Sequence, residues 1–266
     1  MSRFINKKPV KELEHLVHSF YFQSFYNKEQ KNSGLIADDG CYEIMLVKEE
    51  NAILKTGKQT KYQIPKTYTI HKVEQPFGIE YAGSFNTFCI KLQPWVNALF
   101  FSDGLPQGVI DLRMVFGEEI SCLHDRVFSV SDFDEMVEIA EEFIIRLNIH
   151  SSPETKFINK VCDEIYVKNG NVTVKELADL FQTSRQALNK LFYYNVKHTL
   201  KKFILLIRIR ASIEYKLTHP DTPLTSIAYM FGYSDQAHFV NNFKRLCGTT
   251  PSDFVKNRSY SCNDLR

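Results

Sequence analysis

Two stretches of this 266-residue chain combine amide and basic side chains at helical spacing: SRQALNKLFYY (residues 184–194) and SDQAHFVNNFKRL (residues 234–246). On a helical wheel at about 100° per residue, Leu188, Leu191 and Phe192 form the apolar stripe of the first. Phe239, Phe243 and Leu246 form that of the second. Opposite the first stripe lie Gln186, Lys190 and Tyr193, flanked by Arg185 and Asn189. Opposite the second lie Ala237, Asn241 and Lys244, flanked by Gln236 and Val240. Asn and Gln each pair a donor with an acceptor and so match the major-groove edge of adenine, while Arg and Lys match guanine. Base-pair reading is therefore a chemistry these residues can perform. A solvated polar face would use similar residues, so the choice depends on the elements that hold them.

Other chemistry is sparsely supplied. His15 and His18 stand three apart, as metal ligands on a helix would, but no third ligand accompanies them, and the expected strands lack an H-x-H or a Glu/His cluster. His71 is isolated, and no serine or cysteine has nucleophile-elbow spacing. The six cysteines (41, 89, 122, 162, 247 and 262) contain no C-x-x-C pair, which removes the usual zinc and dithiol motifs. Free thiols in a reducing compartment are expected, with Cys41 and Cys89 as core residues on strands. Tyr42, Trp95 and neighbouring phenylalanines fit core packing, or less simply the lining of a pocket. No catalytic residue, metal ligand or cofactor is assigned, and an enzyme is not expected.

The two amide-bearing stretches belong to a degenerate repeat. LADLFQTSRQALNKLFYYN starts at Leu177 and IAYMFGYSDQAHFVNNFKRLCG at Ile227, a period of about fifty residues. Each copy has a Leu/Ile-Ala pair, a Phe three residues after that Ala, a Ser three residues later, and a helix closed by Phe and a turn residue. Gly232 supplies the backbone freedom of a sharp turn, and Ser184 and Ser234 are the expected N-caps. Two helices joined through such a turn make a helix-turn-helix. Between the copies, Thr199–Leu217 is apolar on more than one side and reads as one long helix packed between two subdomains. A rigid connector of this kind could set two reading helices one DNA turn, ~34 Å, apart.

The first half reads differently. Cys41–Val47, Ala52–Leu54, Thr67–Ile70, Phe77–Tyr81 and Thr87–Leu92 are short strand candidates, the first after a turn at Asp38-Asp39-Gly40. Pro94 opens a short helix with Trp95, Val96, Leu99 and Phe100 as its apolar side. Ser131 is the expected N-cap of an amphipathic helix in which Phe133, Met136, Val137, Ala140, Phe143, Ile144 and Leu147 alternate with acids. That helix packs on its own domain, or serves as a dimer contact. HSSPET (150–155) reads as a linker, and Asn169-Gly170-Asn171 ends the helix that follows it. Residues 1–150 carry 16 basic and 21 acidic side chains, a balance of −5; residues 151–266 carry 17 and 10, a balance of +7. Only the second half suits a polyanion. The longest apolar runs fall short of the ~18 residues of a membrane span, and the N-terminus lacks a signal peptide's apolar core. A cytoplasmic protein without membrane partners is expected.

The expected fold class is a multidomain α+β chain. Residues 1–150 form a β-rich barrel or sandwich with helices, serving as a regulatory, effector-binding or dimerisation domain. Residues 151–266 form an all-α domain of two helix-turn-helix units joined by a long helix.

Residues 155–258 resemble the DNA-binding domain of the AraC/XylS family of bacterial transcription regulators. The carrying segment is IAYMFGYSDQAHFVNNFKRLCGTTPSDF (227–254), with a looser match at Leu177-Ala178, Ser184, Leu188 and Phe192. More faintly, ADDGCYEIMLV (37–47), FCIKLQPWVNALFF (88–101) and VIDLRMVFGEEI (109–120) resemble the family's β-rich regulatory domain. The resemblance implies an activator or other regulator bound to double-stranded DNA. By position it implicates Arg185, Gln186, Asn189 and Lys190, then Gln236, Ala237, Val240 and Asn241, with Lys244 beside them. It further implies RNA polymerase, a small-molecule effector and a second copy of the chain as candidate partners. Two positions depart from the family pattern: Asn241 stands where arginine is common, and Asn195 where glycine is, to be tolerated as a left-handed turn residue. A helix-turn-helix that has kept its fold and become a protein-interaction regulator is the alternative. A β-barrel metalloenzyme with an appended regulatory domain is a more distant one.

Overall fold

The computed structural model describes residues 3–32, 40–56, 60–72 and 77–256. The turn positions Asp38 and Asp39, and Cys262, lie outside them. The chain divides into two units: residues 1–33, 41–73 and 78–152, and residues 34–40, 74–77 and 153–266.

The first unit contains strands β1 (Arg3–Lys7), β2 (Val17–Asn32), β3 (Glu43–Val47), β4 (Ala52–Thr56), β5 (Lys61–Gln63), β6 (Thr67–His71), β7 (Phe77–Leu92) and β8 (Gly108–Asp111). They form one antiparallel sheet in the order β1-β2-β7-β3-β6-β8, with β4 and β5 branching from β7. Two short strands expected at Phe77–Tyr81 and Thr87–Leu92 are a single sixteen-residue strand. The Ala82-Gly83-Ser84 break between them is a bend within it, at Gly83 (φ 78°). Asn51 pins the bend by donating to the carbonyls of Ala82 (2.6 Å) and Ser84 (2.8 Å), and the register with β2 slips nearby. Cys41 precedes β3 and is only partly buried, whereas Cys89 is buried on β7. Tyr42 packs its ring on Phe101 and His71 in the core. His15 sits in a turn and His18 on β2, so they do not share a helix face; among the described residues no group of three metal-ligating side chains gathers.

Short helices α1 (Asn97–Phe100) and α2 (Arg113–Phe116) lead to α3 (Glu118–Ser129) and α4 (Phe133–Arg146). These cover the sheet. His124 on α3 shares a 2.9 Å hydrogen bond with the Val47 carbonyl, and Phe133 packs on Phe88 of β7 at 6.2 Å. The acidic helix α4 thus buries its apolar stripe in its own unit, and Lys7 of β1 pairs with Asp134 at 2.6 Å. Its N-cap is Asp132 rather than the expected Ser131: the Asp132 carboxylate accepts from the amides of Asp134 and Glu135. A carboxylate accepts more strongly than a hydroxyl at the positive end of a helix.

The second unit is helical: α5 (Pro153–Val167), α6 (Val174–Leu180), α7 (Arg185–Val196), α8 (Leu200–Thr218), α9 (Leu224–Met230), α10 (Gln236–Cys247) and α11 (Pro251–Lys256). α5 starts at Pro153, inside the expected linker. Helix α8 runs as expected from its N-cap Thr199, whose side chain accepts from Lys202 N–H. Its early turns take Phe203 into the α5–α7 side, against Phe192 (5.3 Å) and Tyr166 (5.8 Å). Its later turns bring Ile209 and Ile213 into a second cluster with Ile227, Phe231, Tyr233, Phe239, Phe243, Cys247 and Phe254.

The second helices of both copies begin on side-chain caps. Ser184 Oγ accepts from Ala187 N–H at 3.1 Å, as expected. In the other copy the cap is Asp235, one residue beyond the expected Ser234. Asp235 accepts from His238 N–H at 2.7 Å, and the Ser234 hydroxyl donates to its other oxygen at 3.1 Å. These bonds, the backbone one foremost, hold the Asp235 carboxyl below its ordinary value.

Phe243 is 2% exposed between Phe239 and Phe254, so Phe243→Ala should cost about 3–5 kcal/mol. Denaturant unfolding followed by helical circular dichroism measures this; a cost below 1 kcal/mol contradicts the packing. A carboxyl held low in the folded state stabilises it above the unfolded value of about 4, and that contribution fades as pH falls below it toward the lower folded value. Asp235→Asn keeps a capping oxygen without the charge. The difference in stability between wild type and Asp235→Asn should therefore shrink on acidification, and an unchanged difference contradicts the cap.

Candidate nucleic-acid interface

The two copies superpose in their bonds as well as their residues. Phe181 N–H donates to Leu177 O at 3.0 Å, and Phe231 N–H to Ile227 O at 3.0 Å. Gln182 N–H reaches Asp179 O at 3.2 Å, and Gly232 N–H reaches Tyr229 O at 3.1 Å. Thr183 N–H and Tyr233 N–H close the turns on Ala178 O and Ala228 O, both at 2.9 Å. The sharp turn needs a left-handed residue, which is Gly232 (φ 74°) in one copy and Gln182 (φ 50°) in the other. Sequence reading found the glycine; a glutamine in this conformation gave no compositional signal.

The second turn is one residue longer. From there on the copies correspond at an offset of fifty-one: Leu188 with Phe239, Phe192 with Phe243, and Lys197 with Gly248. Lys197 (φ 63°) and Gly248 (φ 72°) are the left-handed C-caps of α7 and α10. The expectation for Asn195 is therefore corrected. Asn195 remains helical and 3% exposed, accepting from Thr155 Oγ1 (3.2 Å) and donating to Leu191 O (2.9 Å). It is a buried polar group with partners on both sides, which explains why an amide is tolerated there.

This frame decides what reaches solvent. Arg185, Gln186, Asn189, Lys190 and Tyr193 are exposed on α7, with Leu188 and Phe192 buried and Leu191 partly so. Gln236, Ala237, Asn241 and Lys244 are exposed on α10, with Phe239 and Phe243 buried; Val240 is half-buried against the core cluster, as is Leu246. The four amides are not equivalent. Asn189 donates to Arg185 O within its own helix at 2.7 Å, and Gln236 accepts from Thr225 Oγ1 at 2.5 Å. Gln186 and Asn241 are engaged in neither way. Arg185, Lys190 and Lys244 have no acidic partner within ion-pair distance among the described residues, which leaves these cations available to an external anion.

Behind α10, Tyr233 is 3% exposed, and burial pushes its hydroxyl up to about 12. Its ring meets Phe239 at 5.2 Å and His238 at 5.5 Å, fixing the start of the helix against the turn. No helix among the described residues is long and apolar enough to cross a membrane.

Comparison with known proteins agrees with this geometry. A family model described as a helix-turn-helix domain matches residues 177–257. The Msm operon regulatory protein of Streptococcus mutans serotype c is 30% identical over 123 residues, 46% of this chain and 44% of that protein, so the match spans less than half of its length. The crystal structure of an apo point variant of ToxT from Vibrio cholerae strain SCE256 has a TM-score of 0.50 at 16% identity, covering 89% of this chain and 97% of that one. The paired turns, the caps and these likenesses identify the carboxy-terminal unit as a helix-turn-helix domain, following a β-rich amino-terminal domain in a two-domain fold like that of ToxT.

Proposed function

We propose that this protein is a sequence-specific, DNA-binding transcription regulator in which α7 and α10 read successive major grooves. The observation that carries this is the duplicated turn: two helices start from matching caps and present, on corresponding faces, exposed amides and cations that have no acidic partner among the described residues. Gln186 and Asn241 are the amides ready to bond adenine edges. Asn189 and Gln236 would first have to exchange their present bonds. Arg185 and Lys190 suit guanine or phosphate, Lys244 suits phosphate, and the methyl groups of Ala237 and Val240 suit thymine. Residues 151–266 would form the DNA-binding domain and residues 1–150 the regulatory one, open to a small-molecule effector, a second copy or RNA polymerase. The role is regulatory rather than catalytic, in a soluble cytoplasmic setting.

Selection of bound duplexes by the purified protein should return bipartite sites rich in A·T; a uniformly G-rich motif contradicts the amide reading. Affinity should fall steeply with salt, and Lys190→Ala or Lys244→Ala should lower the log–log salt slope by about one if each meets a phosphate. Binding indifferent to salt would instead favour a protein-interaction role. Gln186→Ala should cost about 1–3 kcal/mol at a single base position, measured by competition among single-base variants of the selected site. Equal weakening on every variant contradicts base reading by Gln186.

A further inference from the structure

Two reading helices specify a bipartite site only if their offset is held, and the single connector α8 is not the whole of what holds it. The turn after α5 reaches across to the other copy. Asn169 (φ 51°) and Gly170 (φ 69°) reverse the chain, and Gly170 lies directly against α8: a Cβ there would sit 2.5 Å from the Ile204 carbonyl and 2.6 Å from Arg208 N. The Gly170 carbonyl points at the middle of α8, where Arg208 donates to it through Nε (2.8 Å) and a terminal guanidinium nitrogen (2.7 Å). The same guanidinium lies 5.5 Å from the centre of the Tyr233 ring. Tyr233 belongs to the second copy's turn and abuts Phe239 of α10. Next to it, Asn171 Oδ1 approaches Gly232 so closely that a Cβ at Gly232 would lie 2.2 Å from it.

We infer that Arg208 is a positioning residue that locks α10 at a fixed offset from the first helix-turn-helix and thereby sets the spacing of the two half-sites. This rests on the DNA reading proposed above. A guanidinium is suited to the task because it is a planar fork that can bond one carbonyl twice and still present its face to an aromatic ring. Lysine offers a point charge and cannot do both with the same geometry. The Asn169–Asn171 turn belongs to the first copy's side and Tyr233 to the second, so Arg208, beside the approach of Asn171 to Gly232, joins the two copies directly as well as through α8. Without it, α10 is held to the first copy only by the core it shares with the later turns of α8 and by the Asn171–Gly232 approach, which leaves its offset less tightly fixed.

Spacing is a readout that loss of stability alone does not move. One added base pair shifts a half-site by ~3.4 Å and rotates it by about 35°. The full-length protein is measured by competition binding on its selected duplex and on duplexes with one base pair added or removed between the half-sites. Wild type should bind the altered spacings at least about tenfold more weakly. Arg208→Gln should bring that ratio down to about a third of its wild-type value or less, with half-site base preferences unchanged, and Arg208→Lys should fall between. If Arg208→Gln does not fold, Arg208→Lys and Tyr233→Leu carry the same test. Variants that weaken binding equally at every spacing overturn the positioning role while leaving the DNA reading intact. A wild-type protein that binds no duplex removes the DNA reading and this inference with it.

Discussion

Helix α8 has to bury side chains on more than one face, and the architecture of the carboxy-terminal unit follows from that demand. Phe203 and Ile204 belong to its early turns, and Ile209 and Ile213 to its later ones; all four are at most 6% exposed. A fully buried side chain of this size contributes about 1.5–3 kcal/mol, so neither end of α8 can be left bare. Each end is covered by a helix-turn-helix, and each unit completes its core with α8. Ser212, also buried, is accommodated because its hydroxyl donates to Ile209 O at 2.6 Å within the helix. The two units cannot separate without exposing the connector.

That packing explains why the outward faces are free to do chemistry. Once Leu188 and Phe192, or Phe239 and Phe243, are turned inward, helical period alone sends Gln186 and Lys190, or Ala237 and Asn241, to solvent. The turns add precision. A left-handed residue and a side-chain cap fix where each helix begins, so the backbone beneath the exposed residues is placed by these bonds, whatever contacts the side chains themselves make. A surface built this way can change its exposed residues at little cost to the fold. The arginine that the family resemblance leads one to expect at position 241 can therefore be replaced by Asn241 while the helix persists.

The helical half was largely legible because its signals are local. Periodicity located the helices, the glycine at 232 located a turn, and repetition linked the copies. What escaped depended on a single residue's tertiary setting. Ser234 and Asp235 are both good caps, and only the longer second turn decides for Asp235. Asn195 looks like a turn residue until Thr155 is seen to bond it inside the core. Lys197 and Gln182 adopt left-handed conformations that side-chain type does not announce. In the first half, β7 was split because a glycine inside a long strand looks like a turn, and pairing partners distant in sequence decide otherwise. Strands β1 and β2 and helix α3 lie outside the sequence-based expectations. Arg208 carried no signal at all, since its partners, Gly170 and Tyr233, are 38 and 25 residues away.

The central claim, that both recognition helices engage DNA at once, is tested most directly by hydroxyl-radical footprinting of the full-length protein on its selected duplex. Two protected segments about one helical turn apart on the same face are the result expected from the duplicated, α8-linked units. A single protected segment, or protection on opposite faces, would contradict it.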